Sequence, residues 1–456
     1  MKILFIIQGE GRGHLTQALS LRQKLMAEGH EIVGVLVGKS PARRLPDFFL
    51  NKIQSPVYPF ESPNFLPTAK NKQVSLMRSV LYNVLRLHKY MGSIRYIDRM
   101  IRQTDADVVV NFYELLTGLT YLILRPKATM VCIAHQYLFL HPDFVFPKQS
   151  TLSLASLRFF TRLTAIGSVK KLALSFRKMR EAPLGGIVVV PPLLRQEVLD
   201  AVPSNGSYLH GYLLNSGFSE EIRSWHSRHP SVPMHFFWDK KKVDTTIHLT
   251  PNLTMHKLSD TLFLEYMAGC KAYATTGGFE SVCEAMYMQK PVLMVPTHIE
   301  QECNVMDALR SGAGVTDEEF DLDILPEMNY EDVWPEAAAA QENFDQQATK
   351  KTGKMVRNGE KAAGLFGTNI RDILTYIDKA KEKVDEIDVT EIIGTLENAG
   401  TGEDGKPTPP PEIELPPDDK IEVDKPETPP NPDGGGGMGG NVDGWGPEDN
   451  VELPVN

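Results

Sequence analysis

The chain opens on a short apolar run, Lys2–Ile7, that ends in glycines. Leu15, Ala18, Leu19, Leu21 and Leu25 then recur at helical spacing as far as Gly29, and Glu31–Val37 is a second, β-branched run. Short apolar runs bounded by glycine fit buried strands, and the helical recurrence between them fits a helix packed on a sheet. Strand, glycine-rich turn, helix, strand is the opening of a doubly wound α/β unit. Asp107–Asn111 and Thr129–Ala134 are further buried-strand candidates. Val74–Arg102 and Thr151–Arg180 read as basic helical stretches, the second interrupted at Gly167.

The run Gly185–Pro192 reads as the crossing into a second domain. Beyond it, strands are predicted at Tyr208–Leu213, Met234–Trp238, Thr246–Leu249, Ala272–Thr275 and Val292–Val295, with helical segments between several of them. The α/β alternation therefore repeats. The expected division is a first Rossmann-like domain over 1–186, a second over 187–325, a helical extension over 326–397 and a tail over 398–456. Helices are expected within the extension at Ala337–Lys351 and Asn369–Val384. The tail is acidic and rich in Pro and Gly, with too few large apolar residues to offset its ordering entropy, so it is expected to be disordered.

Charge is divided unevenly. Residues 1–186 carry 26 Lys and Arg against 11 Asp and Glu, whereas the remainder carries 22 against 47. The tail accounts for much of the second imbalance but not for the first, which suggests an anionic partner for the first half. Arg158, Arg162, Lys170, Lys171, Arg177, Lys178 and Arg180 are interleaved with large apolar residues, a pattern suited to an anionic membrane surface. Solvated basic faces on ordinary core helices are the plainer reading. No recognised nucleic-acid motif accompanies the charge. No apolar run reaches the length of a membrane span or a secretory signal, so a cytoplasmic protein, peripheral at the inner face of the cell membrane at most, is expected. Cys132, Cys270, Cys283 and Cys303 form no CxxC pair, and neither a disulfide framework nor a zinc site is expected.

Three segments can carry chemistry. The first is Gly9-Glu10-Gly11-Arg12-Gly13-His14, between a strand and a helix, where glycines let the backbone approach a ligand. A dinucleotide-binding turn would need a third glycine where His14 stands, and an acid at the end of the second strand, where Gly38-Lys39 lies. Histidine there can act as a general base or merely cap the turn. The second is Thr275–Ala285, in which Thr276, Gly277 and Gly278 lead from a strand into a helix bearing Ser281 and Glu284 on one face. Backbone N–H groups at that helix start can hold a diphosphate, and a carboxylate one turn in can accept from ribose hydroxyls. The third is Pro296–Asn304, whose Gln301, Glu302 and Asn304 suit sugar hydroxyls and lie at the carboxyl end of a strand. Glu300 and Glu302 also fit a helix dipole alone.

Together these segments resemble the two-domain GT-B glycosyltransferases, especially the MurG-like N-acetylglucosaminyltransferases and their relatives, over roughly residues 1–325. Gly11-Arg12-Gly13-His14 is similar to the family's glycine-rich first turn. Gly277 to Glu284 is similar to its donor phosphate loop and ribose-binding glutamate, and Gln301, Glu302 and Asn304 to its sugar-reading residues. The resemblance implies inverting transfer without a metal or other cofactor, from a nucleotide-sugar, usually UDP-linked, to a hydroxyl acceptor that in related enzymes is lipid-linked. It implies His14 as the base or as the residue that positions the acceptor, Glu114 where some relatives carry an Asp that supports the histidine, and Leu258 beside the nucleobase. The chain departs from the pattern at Arg12, where relatives carry Gly or Thr, and at Gln301-Glu302, which replaces Asp-Gln or Gln-Gln. Two other functions share the architecture: a UDP-N-acetylglucosamine 2-epimerase, which needs acids facing the cleft from the acid-poor first half, and a non-catalytic sugar-nucleotide-binding protein.

Overall fold

Among the described residues, two largely parallel sheets, each of seven strands, organise the protein. The structure is a computed structural model that describes residues 1–325 apart from 42, 64–86, 149–150, 178, 180–181, 183–185, 214–215, 239–245 and 324. The helices expected at Ala337–Lys351 and Asn369–Val384, and the tail, lie outside the described residues.

The first sheet runs β3-β2-β1-β4-β5-β6-β7. Its strands are β1 (Lys2–Gln8), β2 (Glu31–Lys39), β3 (Val57–Glu61), β4 (Val108–Phe112), β5 (Thr129–Ala134), β6 (Ser168–Leu174) and β7 (Ile187–Val190), all parallel. The second runs β10-β11-β9-β8-β12-β13-β14. It comprises β8 (Leu209–Leu213), β9 (Met234–Trp238), β10 (Ile247–Thr250), β11 (Leu253–Lys257), β12 (Ala272–Thr275), β13 (Val292–Met294) and β14 (Gly314–Thr316), parallel except for the β10–β11 hairpin. The helices are α1 (Gly13–Ala27), α2 (Asp47–Ile53), α3 (Leu87–Gln103), α4 (Leu115–Leu124), α5 (Thr151–Thr164), α6 (Gln196–Leu199), α7 (Ser219–Arg228), α8 (Asp260–Gly269), α9 (Phe279–Tyr287) and α10 (Ile299–Arg310). The doubly wound, two-sheet fold class expected from the sequence is present.

Alternation along the strands builds the core. In β1, Ile3, Phe5 and Ile7 join one apolar cluster, and Leu4 and Ile6 join another on the opposite face. A parallel sheet covered on both faces requires this continuous burial. The first cluster does not stop at the edge of one sheet. It runs from Phe5 through Leu193, Leu194 and Val198 to Phe237, Tyr273 and Met294 of the second sheet. The order of strands reverses between β1 and β4 in one sheet and between β8 and β12 in the other. Crevices at such reversals, beyond the strands' carboxyl ends, are where open α/β sheets take ligands.

Two expectations are corrected. Ile187–Val190, read as opening the second domain, pairs with β6 and closes the first sheet, so that sheet extends beyond residue 186. The basic stretch to Arg180, read as helical with an interruption at Gly167, is a helix only to Thr164; Gly167, at φ +81°, does turn the chain, but Ser168–Leu174 beyond it is a strand. Lys170 and Lys171 therefore stand half-buried in a sheet, so the basic residues from Arg158 to Lys171 do not share one helical face. Their charge masked the strand, whose apolar half is Leu172, Ala173 and Leu174. Among the described residues no helix is long and apolar enough to cross a membrane.

Helix α4 crosses α5 at Gly118, where an added Cβ would run into the carbonyl oxygen of Leu163. In an exposed helix Gly→Ala stabilises by about 1 kcal/mol. Here Gly118→Ala is expected to destabilise by about 1–3 kcal/mol through overpacking. Urea denaturation monitored by circular dichroism measures it, and an unchanged or raised midpoint contradicts the close crossing.

Candidate active site

The glycine-rich turn follows β1. The Gly9 N–H donates to the Gly38 carbonyl at 2.7 Å, and a Cβ on Gly9 would lie 3.0 Å from that oxygen and 2.5 Å from Val37 Cγ1. Gly9 is thus the glycine that the turn requires, while Gly11 faces open space. A Cβ on Gly13 would overlap the Glu280 carboxylate, so the bare backbone at the start of α1 admits a side chain from the second half. His14, buried on the first turn of α1, lies 5.6 Å from the Tyr113 ring.

Across from it stand the ends of β12 and β13. Gly277 has φ +81°, and a Cβ there would lie 2.6 Å from Val305 Cγ2, so this turn needs glycine twice over. Gly278 is the N-cap of α9 and supplies no side-chain cap, which leaves the first N–H groups of α9 available to an anion. The Ser281 hydroxyl donates back to the Gly278 carbonyl at 3.2 Å. His298 caps α10, accepting from the Gln301 N–H at 3.4 Å. The Gln301 side chain accepts from the Thr297 N–H and hydroxyl at 2.9 and 2.7 Å and donates to Thr276 Oγ1 at 3.3 Å, tying the two loops together. Asn304 is buried, with its Oδ1 unpartnered among the described residues, and Glu302 is half-buried on the first turn of α10.

The two halves meet in a set of polar contacts. Gln17 donates to Glu280, and Gln136, just beyond β5, donates to Glu300 Oε1 at 3.0 Å. Between the two amides lies His14, with Nδ1 3.3 Å from Gln17 Oε1 and Nε2 3.4 Å from Gln136 Nε2. Burial lowers the His14 imidazole below its ordinary value, against the opposing pull of Glu280 and Glu300. His135 stacks on Phe279 at 4.6 Å and 7°, and its Nε2 lies 3.6 Å from Glu300. Burial alone would raise the Glu300 carboxyl, but the imidazole of His135, then those of His298 and His14, hold it down at about 2.

A second polar bridge surrounds Glu284. Arg195 Nε donates to Glu284 Oε1 at 2.7 Å and Arg195 also pairs with Asp260, which takes Lys52 Nζ at 2.6 Å. Lys52, from α2, reaches Glu197 at 2.6 Å as well. Burial raises the Glu284 carboxyl, and Arg195 opposes it.

The structure gathers His14, Gly13, Thr276, Gly277, Gly278, Ser281, Gln301 and Asn304 around facing loops, but assigns Glu114 elsewhere. Glu114 is the N-cap of α4, accepting from Thr117 N and Oγ1 at 2.8 and 3.1 Å on one oxygen and from Ser62 on the other. Among the described residues no hydrogen bond joins it to His14. The hydrogen-bond partners of the imidazole are two glutamines. Leu258 donates its N–H to the Trp238 carbonyl at 3.2 Å, at the end of β11. Gln17, Gln136, His135, Glu280 and Arg195 escaped the sequence reading. Gln17 carried a signal, its spacing of one helical turn from His14, and Gln136 another, its position at the carboxyl end of a parallel strand.

Residues 1–330 match the family described as Glycosyl transferase family 1. Among solved structures, the glycotransferase of kitacinnamycin aligns with 82% of this chain and 98% of its own, at TM-score 0.54 and 14% identity. Phytolacca americana UGT2, complexed with UDP-2fluoro-glucose and pterostilbene, aligns with 83% of this chain and all of its own at TM-score 0.54 and 13% identity. Arabidopsis thaliana UGT89C1, complexed with quercetin, aligns with 81% and 98% at TM-score 0.52 and 16% identity. At these identities the likeness is one of fold. A stretch of 86 residues is 88% identical to the "Putative fimbrium anchoring subunit Fim4B" of Bacteroides ovatus, which is 18% of this chain and 26% of that protein. The chain thus spans about a quarter of the length of that curated relative.

Glu114 gives a test by pH. Burial raises its carboxyl from 4.5 to about 7 in the folded protein. The folded state then binds a proton that the unfolded state has released, so stability falls as pH rises through this window. A shift of this size corresponds to about 3 kcal/mol. Glu114→Gln can keep the Thr117 cap and cannot ionise, so its urea midpoint, relative to wild type, is expected to gain between about pH 5 and about pH 8. Parallel midpoints for the two proteins would remove the raised carboxyl.

Proposed function

Since the chain belongs to glycosyl transferase family 1, we propose that it moves a sugar from a UDP-linked donor to a hydroxyl acceptor, inverting the anomeric carbon and using no metal. The observation that carries this reading is the meeting of the His14 turn with the uncapped start of α9 across the two sheets. In the proposed reaction the N–H groups at the start of α9, with Thr276 and Ser281, receive the diphosphate. Glu284 receives the ribose, and Gln301, Glu302 and Asn304 surround the sugar. The acceptor approaches from the first half. Its hydroxyl oxygen forms the new bond to the sugar's C1 while its proton passes to His14 Nε2, and the C1–oxygen bond to the diphosphate breaks with its electron pair on the leaving group. Helix N-termini and backbone amides placed where that charge develops do the work of a cation.

The UDP identity draws support from a fold relative complexed with UDP-2fluoro-glucose, and the acceptor class from relatives complexed with pterostilbene and quercetin. The proposal stops at a hydroxyl-bearing acceptor, since Lys170 and Lys171 lie in a strand and lend no helical face to a lipid-linked one.

His14→Ala is expected to leave UDP affinity unchanged by calorimetry and to lower donor consumption roughly 100- to 10,000-fold, the range of general-base contributions. Retained turnover would remove His14 from the chemistry. Glu284→Gln is expected to weaken UDP binding about 10-fold or more, from the loss of charge-assisted bonds to ribose. Glutamine is used because its amide oxygen can still accept from Arg195, which keeps its ion pair with Asp260. UDP affinity equal to wild type in a folded Glu284→Gln variant would sink the donor-site assignment.

A further inference from the structure

Glu280, Gln17, His14, Gln136 and Glu300 form one hydrogen-bonded chain across the two sheets. Its donors and acceptors admit one assignment. A carboxylate only accepts, so Gln17 must present its NH2 to Glu280 and its carbonyl oxygen to His14. That oxygen requires a proton on His14 Nδ1. Gln136 likewise presents its NH2 to Glu300, and the same nitrogen faces His14 Nε2, which must then be the unprotonated acceptor.

We propose that Gln17 and Gln136 are positioning residues that lock His14 in its Nδ1–H tautomer, with Nε2 unprotonated and facing Gln136, and that Glu280 and Glu300 of the opposite half orient them. The base is then assembled from both halves of the protein. Glu280 belongs to the first turn of α9 and Glu300 to the first turn of α10. These are the segments proposed to hold the donor, so donor loop and base are parts of one network.

The arrangement also says what must move when Nε2 takes a proton. The imidazolium would face the Gln136 NH2 donor to donor. Turning the amide would offer His14 the Gln136 oxygen, which has no partner among the described residues, but would set an oxygen towards Glu300. Protonation therefore requires the Gln136–Glu300 pair to shift. The charged and titratable groups facing the imidazole are Glu280 and Glu300, which favour the cation, and His135, which disfavours it.

The tautomer claim is independent of the reaction; only the name "base" rests on the transfer reading. The full chain, labelled with nitrogen-15, is examined by two-bond nitrogen–proton correlation, with His14→Ala assigning the His14 signals. Wild-type His14 is expected in the Nδ1–H form. Gln17→Leu is expected to lose that preference, whereas Glu280→Gln, whose amide oxygen still accepts from Gln17, is expected to keep it. The signals of the distant His256 report that each variant folds. With UDP-glucose or UDP-N-acetylglucosamine as donor, Gln17→Leu is expected to lower kcat roughly 10- to 100-fold with donor KM unchanged. A wild-type His14 in the Nε2–H form, or the same tautomer in Gln17→Leu and Gln136→Leu, overturns the proposal. A locked tautomer with no donor consumed by wild type sustains the positioning role and removes the transfer reading instead.

Discussion

A polar side chain buried between two sheets is shielded from bulk solvent and gains most from a partner within the protein. The cost of leaving such a group unpaired is about 1–3 kcal/mol, and more for a charge. The apolar cluster that runs from Phe5 through Leu193 and Val198 to Phe237 and Met294 draws the two sheets into one core. That burial brings loops from the carboxyl ends of both parallel sheets face to face, and those are the ends that bear His14, His135, Gln136, Glu280 and Glu300. Each of the cross-sheet polar contacts follows from this confrontation. The glycines follow as well: Gly13 is bare because Glu280 occupies the space where its Cβ would be.

Two bridges flank the facing loops. One is the amide–imidazole chain at His14. The other is ionic and joins Lys52 of α2 to Glu197 and Asp260, and Asp260 through Arg195 to Glu284. They differ in kind. The ionic bridge sets cations against buried carboxylates, which holds Glu284 in place and offsets the burial that favours its neutral form. The amide chain places no formal charge beside the histidine. In the proposed transfer these are suitable divisions of labour, since a ribose needs an acceptor already in position and a base needs a lone pair.

The sequence made the frame of the fold legible because buried parallel strands read as apolar runs. Thr129–Ala134, Met234–Trp238 and Ala272–Thr275 stand as expected to the residue. It failed where charge interrupts such a run. Lys170 and Lys171 disguise β6 as part of a basic helix, and Pro59 hides β3, which can tolerate proline because it lies at the sheet's edge. At the site, local spacing identified the facing loops but not what joins them. Glu300 could be explained by the dipole of its own helix, and only the fold shows it 164 residues away from its partner Gln136. Glu114 failed for the opposite reason. Its place after a buried strand suits catalysis, yet a carboxylate at a helix N-cap is consumed by the helix.

A histidine base commonly gains from a carboxylate, and the use of amides between His14 and both glutamates has a physical consequence. A carboxylate bonded directly to Nδ1 would stabilise the imidazolium in the resting protein as well as during proton transfer. Here burial disfavours the imidazolium, and the amides face the ring without adding charge. The negative charges of Glu280 and Glu300 remain one side chain further away, where they act on whatever positive charge develops on the ring. An interaction that is stronger with the developing cation than with the neutral ring lowers the barrier instead of deepening the ground state. Since both glutamates come from the second half, that advantage exists only while the two halves are in contact. In the proposed transfer the loops that receive the donor carry these same carboxylates, so a single arrangement of the chain would position both the donor and the base.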